Sequence, residues 1–470
     1  MVGKPLGLHW RSSVWFVTFV VGLGITTDLL AYSIVVPVMP FELERLGYHG
    51  VSALVGWLLF AYSGGLVLAT PPLAYFSELY NDRKIPLLGG QLALIVFKTI
   101  LPFPSMLTNS LLDFLLDSCD TAPEIIVGRQ LGIAMAGLAI GFLVGPPVAG
   151  ALYEVFGIRG PFIFGIIVTA MDLVGRLLVV ERKDALQWGV DPAAQYTKVA
   201  SAEAELAEKT VVPPPTSADH TPEKASTDPD PSDSQVQQEL RNDPIAVHEV
   251  ITAKPRASFQ AVIITMLRSP RALAVFMCTL INGVVITTVE PTLPLHLQRV
   301  WNFNASKVGL IYIAAVVPTI FSSPLSGWWT DRKGAAEITL VLLACAFPWA
   351  VLLIVQRSLP FFIVAFALEG FFVSGLVSPL TAELAAITRQ LDGVGYAHVY
   401  GVFNLTYGIG SAIGPIIGGQ LYDRLKHGWT IICLFDAGLI LVFTVLAFVY
   451  FGDDPILARL RKGPLPPLAA

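Results

Sequence analysis

Charge is scarce in this 470-residue chain: Asp, Glu, Lys and Arg make up 14% of it, against 54% hydrophobic residues. That balance excludes an ordinary soluble domain, in which roughly a quarter of residues are charged. The net charge is −5, and the basic residues form no stripe, so the footprint of a nucleic-acid binder is missing. Cysteine is rare. The four present, Cys119, Cys278, Cys345 and Cys433, lie in or beside apolar runs without metal-ligand spacing and read as buried thiols. There is no nucleotide-binding loop, no zinc motif and no nucleophile with a nearby base. The seven histidines, His296 among them, are scattered over termini, loops and helix ends. No cofactor, metal site or catalytic residue is expected, and an ATP-driven pump or a membrane hydrolase has no support.

What the chain does have is apolar length, with a mean hydropathy of +0.66. A bilayer core of about 30 Å takes roughly 20 apolar residues per helix. Spans are predicted near 14–40, 51–76, 85–103, 131–156 and 158–180, then near 272–297, 308–329, 338–355, 359–381, 396–421 and 429–451. The first run is too long for a cleaved signal peptide and is expected to stay as a span. Between the two sets, residues 184–258 are rich in Pro, Ser, Thr and Asp and read as a disordered linker. The expected fold is therefore an all-α integral membrane protein. Its parts are an N-terminal half (1–183), a cytosolic linker (184–258), a six-span C-terminal half (259–451) and a cytosolic tail (452–470). Lys4/Arg11, Arg83/Lys84, Arg182/Lys183, Arg268/Arg271, Arg332/Lys333 and Arg459/Arg461/Lys462 mark one face, which the positive-inside rule makes cytosolic. A sequon, Asn304-Ala305-Ser306, falls on the other face, where an unmodified asparagine is the expectation.

The halves repeat. "GFLVGPPVAGALYE" from Gly141 matches "GSAIGPIIGGQLYD" from Gly410 at one offset (410 − 141 = 269), pairing Gly141, Gly145, Pro146 and Gly150 with Gly410, Gly414, Pro415 and Gly419. Small residues four apart let helix backbones approach, and a proline among them bends the helix. "PVMPFEL" from Pro37 likewise matches "PTLPLHL" from Pro291, so two six-span halves in parallel repeat are inferred. A third pair is unequal. "SPLSGWWTDRKG" carries Gly327, Asp331, Arg332 and Gly334, while "PPLAYFSELYNDRKIP" has Tyr75 and Leu79 in the corresponding places. Aligning Pro72 with Pro324 (offset 252) leaves 17 residues too few (269 − 252) between the second and fifth spans of the first half. Either a distorted segment covers that gap or the chain is a shortened form that lacks its fourth span.

A lone carboxylate inside an apolar run is costly, on the order of 2.5–3.5 kcal/mol on insertion scales, and persists where it faces a cavity or a partner. Asp28 is such a residue. Its bland alternative is an acid hydrogen-bonded to Thr26, Thr27 or a neighbouring helix. Asn282 occupies the repeat-equivalent position (28 + 254) and is a candidate cavity-lining group. Asp172 and Arg176, four apart, read as an interfacial salt bridge. Thr27, Tyr32, Trp57, Tyr62, Glu369, Asn404 and Tyr407 are candidate lining residues, the aromatic ones able to stack on a cation.

These motifs resemble those of the major facilitator superfamily, in its branch of vesicular amine transporters and twelve-span drug:proton antiporters. The Gly-Pro-Gly elements resemble that family's fifth and eleventh spans, and "GWWTDRKG" its cytosolic gating loop. In amine transporters the first span carries an Asp and a Pro-x-x-Pro ending, matching Asp28, Pro37 and Pro40. The seventh carries Glu-Pro-x-x-Pro, matching Glu290, Pro291 and Pro294. The resemblance implies that Asp28 and Glu290 hold the substrate cation or the exchanged proton, and that Asp331/Arg332 form a cytosolic latch. Three features depart from the family: no run matches its Arg-containing fourth span, the tenth-span acid aligns with Ser374, and the first gating loop is degenerate. The expected activity is proton-coupled antiport of small cationic or amphipathic organic compounds by a monomer, in the plasma membrane or a vacuolar or vesicular one. The alternatives are a uniporter or importer of neutral solutes and a transport-inactive shortened paralogue or gene-model product. The charge distribution predicts that cysteine labels at the N-terminus and in the linker report the same face; labels on opposite faces establish a five-span first half.

Overall fold

The computed structural model describes residues 7–80, 124–180, 182–191, 268–389, 396–452 and 455–457. These are helical, with no strand among them. The first half comprises α1 (Leu8–Arg11), α2 (Val14–Arg45), α3 (Val51–Tyr80), α4 (Glu124–Phe156), α5 (Arg159–Leu178) and α6 (Arg182–Gln187). The second comprises α7 (Pro270–Thr288), α8 (Leu293–Trp301), α9 (Ala305–Lys333), α10 (Ala335–Leu352), α11 (Leu359–Ser374), α12 (Val377–Arg389), α13 (Tyr396–Arg424) and α14 (Gly428–Tyr450). Eight described segments are long and apolar enough to cross a membrane, with α7–α8 and α11–α12 each counted as one. Their polarity is turned inside out relative to a soluble helix. On α5, Ile163, Ile167, Met171 and Val174 lie on the exposed face while Thr169 and Asp172 are buried. That pattern is stable only where the surrounding solvent is hydrocarbon.

Helices alternate in direction. α2 and α4 run parallel, because Gly137, Gly141 and Gly145 face Gly22, Thr26/Leu29 and Ser33 in turn. α3 and α5 return between them. The start of α2 and the end of α5 thus lie at the same end of the bundle. The expected third span (85–103) and the apparent gap after it lie outside the described residues. The expected linker starts later than its composition suggested. Arg182–Gln187 is helical, and Ala185 is buried with Leu8 and Val180 in a small apolar cluster, so residues 184–191 belong to the folded half. Residues 192–267 lie outside the described part.

The Pro-x-x-Pro repeat predicts like endings for the two first spans, and the structure makes them differ. α2 runs unbroken through Pro37 and Pro40. Its counterpart stops at Thr288 and restarts at Leu293. Proline removes a donor and disfavours helical geometry in the residue before it, here Glu290. The carbonyls freed by the break find partners. Pro291 O accepts the Ser52 hydroxyl at 3.1 Å, and Thr287 O, which Pro291 leaves without its usual donor, accepts the Glu290 N–H at 3.3 Å.

The glycine repeat explains the packing. Within each half, Gly145 lies against Ser33 and Gly414 against Thr287, two contacts related by the repeat (33 + 254 = 287). Between halves, Gly150 abuts the Ala305–Ser306 backbone at the start of α9, and Gly419 abuts Ser52–Ala53 at the start of α3. Reciprocally, Gly309 abuts Pro146–Pro147 and Gly56 abuts Pro415–Ile416. All these inter-half contacts lie on the far face, opposite the basic clusters. An apolar cluster there joins Val35, Met39, Val51 and Val55 of the first half to Leu293, Val308, Phe362 and Trp429 of the second. A Cβ on Gly150 would stand 2.9 Å from Ser306 Cα, and one on Gly419 3.0 Å from Ala53 Cα, distances that rigid backbones cannot relieve. Gly150→Val and Gly419→Val are each expected to destabilise the folded protein by about 1–3 kcal/mol, read as a lowered midpoint of thermal denaturation in detergent.

Candidate functional site

The break between α7 and α8 presents Glu290, 8% exposed, toward the other half. The Tyr32 hydroxyl of α2 donates a hydrogen bond to its carboxylate. Tyr312 of α9 and Tyr407 of α13 lie within electrostatic reach of the same carboxylate. The Tyr312 hydroxyl has no partner among the described residues. Tyr62 of α3 completes the group, its ring centroid 5.0 Å from that of Tyr32, with Phe142 of α4 edge-on to Tyr32 at 6.1 Å. Three tyrosines from three helices thus lie around one carboxylate where the halves meet, and Tyr62 from a fourth helix backs Tyr32. A carboxylate framed by aromatic rings favours an organic cation, whose charge it neutralises while the ring faces stabilise the remainder.

Asp28 is one turn from Tyr32 on the same face of α2 and is 9% exposed. The Tyr62 hydroxyl donates to its backbone carbonyl at 3.2 Å. One turn further toward the basic face, Gly24 makes room for the Arg176 guanidinium, since a Cβ there would strike it. Arg176 is bridged to Asp172 at 3.2 Å, with both side chains largely buried, so the expected salt bridge forms within the bundle rather than at its wet edge. Asn282, the repeat partner of Asp28, is 1% exposed, and neither atom of its amide has a partner among the described residues. Buried amides are normally satisfied, so one left open marks a place for a ligand group or a water.

The remaining candidates divide. Tyr32 and Tyr407 join Glu290, and Tyr62 stands against Tyr32 beside Asp28. Thr27 spends its hydroxyl on Leu23 O at 2.9 Å within its own helix. Trp57 is half-exposed and packs edge-on against Phe60, with centroids 5.5 Å apart. Asn404 is half-buried on α13. Glu369 lies within electrostatic reach of Asp436 on α14, which is buried beside Thr288 with one carboxylate oxygen unpartnered. Gly327 faces Ser378, and Gly334 ends α9 with φ +86°, a conformation that favours glycine. Asp331 and Arg332 are exposed. Neither forms an ion pair among the described residues, and the Arg332 guanidinium stands 4.1 Å over the Trp328 ring of its own helix. His296 lies on α8, buried and stacked on Trp429, with centroids 3.9 Å apart.

Sequence reasoning missed two site residues. Asp436 carries the signal that marks Asp28, a single acid within "GWTIICLFDAGLILVFTVLAFVY". Tyr312 carries none, because an aromatic residue in a membrane helix is ordinarily packing and only the arrangement of α9 aims it at Glu290.

A helical membrane carrier is the class this arrangement defines: two repeated halves, a polar site between them and one face closed. The family model of the Major Facilitator Superfamily matches residues 118–273 and 275–465, and the chain belongs to that family. Its members are non-enzymatic carriers. The chain is 24% identical to "MFS-type transporter ppzB" of Metarhizium rileyi, over 95% of this chain and 97% of that one. It is 22% identical to the multidrug resistance protein MdtG of Klebsiella pneumoniae over 92% of each, and 20% identical to the chromaffin granule amine transporter of Rattus norvegicus over 65% of this chain and 46% of that one. The crystal structure of the human organic anion transporter MFSD10 (TETRAN) shares the fold at a TM-score of 0.56 and 16% identity, covering 94% of this chain and all of that one.

Removing one partner of a buried ion pair strands the other charge. Asp172→Ala is accordingly expected to cost about 3 kcal/mol or more of stability, seen as reduced yield of monodisperse protein, whereas a surface pair would show no loss.

Proposed function

We propose that the chain is a proton-coupled antiporter that exports or sequesters small cationic or amphipathic organic compounds by alternating access. The observation that carries this reading is the Glu290 carboxylate among Tyr32, Tyr312 and Tyr407, contributed by both halves. A carboxyl group in a dry cavity holds its proton and yields it when a cation arrives beside it, which is the exchange an antiporter needs. Asp28, on the Tyr32 face of α2, is the second exchanging acid, and Asn282 offers a hydrogen-bonding group to the cargo. Two carboxylates at the site favour a cation over an anion, in keeping with relatives named for multidrug resistance and amine transport. The likeness to an organic anion transporter extends to the fold alone.

With the far face closed, the site opens toward the basic face in this reading, where Asp331 and Arg332, neighbours at the end of α9, form one side of a latch that would engage the other half. The pathway lies within one chain, which therefore works as a monomer. The same exchange serves efflux across a plasma membrane or loading of a vacuole or vesicle.

Reconstituted vesicles with an imposed pH gradient test this with a fluorescent organic ammonium dye. Glu290→Gln and Asp28→Asn are each expected to lower proton-driven accumulation at least tenfold while membrane insertion is unchanged. Undiminished accumulation in either variant removes that acid from the mechanism, and accumulation indifferent to the gradient removes proton coupling altogether.

A further inference from the structure

The glycine repeat ends in an acid in both halves: Glu154 closes "GALYE" and Asp423 closes "GQLYD" (423 − 154 = 269). Each acid performs the same task on the opposite half. The Asp423 carboxylate of α13 accepts the Ala53 N–H in the first turn of α3 at 2.6 Å. The Glu154 carboxylate of α4 accepts the Ser306 N–H in the first turn of α9 at 3.2 Å. The two donor positions are related by the repeat as well (306 − 53 = 253), so a single contact has been used twice about the pseudo-twofold axis.

First-turn N–H groups have no partner within their helix, and the helix dipole concentrates positive potential there. The local sequence leaves these ends short of caps. Gly50, before α3, has no side chain to offer, and Asn304, before α9, serves the Lys307 N–H at 3.1 Å and not that of Ser306. The missing caps come from the other half. They are brought into range one turn earlier by Gly150 and Gly419, which let α4 and α13 lie against the same two helix starts. The glycine contacts alone would allow the halves to slide. A charge-assisted hydrogen bond fixes register and is lost once the carboxylate moves out of reach.

We propose that Glu154 and Asp423 are paired latches of the far face: each caps a helix of the opposite half, and both must release for this face to open. The proposal rests on the alternating-access reading above and concerns the gate, not the cargo. The two acids are positioning residues, distant from the tyrosine-framed site and in no contact with substrate.

Spin labels on Tyr48→Cys and Lys426→Cys, exposed far-face loop residues of opposite halves, report the gap directly by pulsed electron resonance. The measurement uses the full chain in nanodiscs with its four native cysteines replaced. Glu154→Gln or Asp423→Asn alone should raise the population of long distances about fivefold, and the two together about 25-fold. Asp423→Glu, which keeps the charge, should return it toward the parent value. An unchanged distance distribution in a double variant of native helical content overturns the latch. If the double variant does not insert, the single variants decide the question in the same way. Distances are read without substrate, so a failure of cation transport leaves this test intact, and a failure of the latch leaves the proposed cargo untouched.

Discussion

Two helices with glycine-lined faces, α4 and α13, touch helices of both halves at backbone distance, and the rest of the molecule is arranged around that approach. Each leans on the first helix of its own half, Gly145 against Ser33 and Gly414 against Thr287. Each also leans on the second helix of the other half, or its repeat equivalent, at Ala305–Ser306 and Ser52–Ala53. Backbones this close exclude lipid and water together. In hydrocarbon there is little hydrophobic drive between helices, so close packing of small residues is what holds them. The same stripes permit motion, since a surface without side chains offers few knobs to catch.

The site depends on this contact. With the far face sealed, α2 meets the α7–α8 break, and the Tyr32 hydroxyl reaches Glu290 across the boundary between halves. The broken backbone is tolerable because Ser52, on a helix of the opposite half, supplies a hydrogen bond to Pro291 O. Irregular backbone at membrane depth survives where protein or a cavity satisfies it. The Arg271–Glu383 bridge at 2.6 Å, with Glu383 also accepting the Gly452 N–H at 2.7 Å, lies wholly within the second half. The basic-face ends of that half are therefore tied to one another, and the far-face ends are tied to the other half.

Much of the architecture was legible in the residues. Apolar run length located most of the described spans to within five residues at either end, but began α4 seven residues late and ended α12 eight residues early. The Gly141 and Gly410 repeats announced the helices that join the halves, and Asp28 and Glu290 stood out as acids in apolar surroundings. The same rule applied without family expectation would have picked out Asp436. The endings of the first spans were misread because a proline spacing is local, whereas whether a helix survives it depends on which neighbours satisfy the freed carbonyls. The linker was drawn too early, since composition averages over a window and a six-residue helix held by one buried alanine is shorter than the window.

The sequence by itself determined that this chain spans a bilayer as two related halves, because the cost of burying charge and backbone in hydrocarbon is written in composition and period. It also determined which acids stand out, since an isolated carboxylate in a membrane helix is visible in one dimension. Tertiary structure alone decided which groups those acids meet. Tyr32 and Glu290 are 258 positions apart, and Tyr312 has no local feature to distinguish it from a packing residue. Hydrogen bonds and charge pairs act over a few ångströms in space and not along the chain, so the site, the closed far face and the two crossed helix caps came into view only when the halves were brought together.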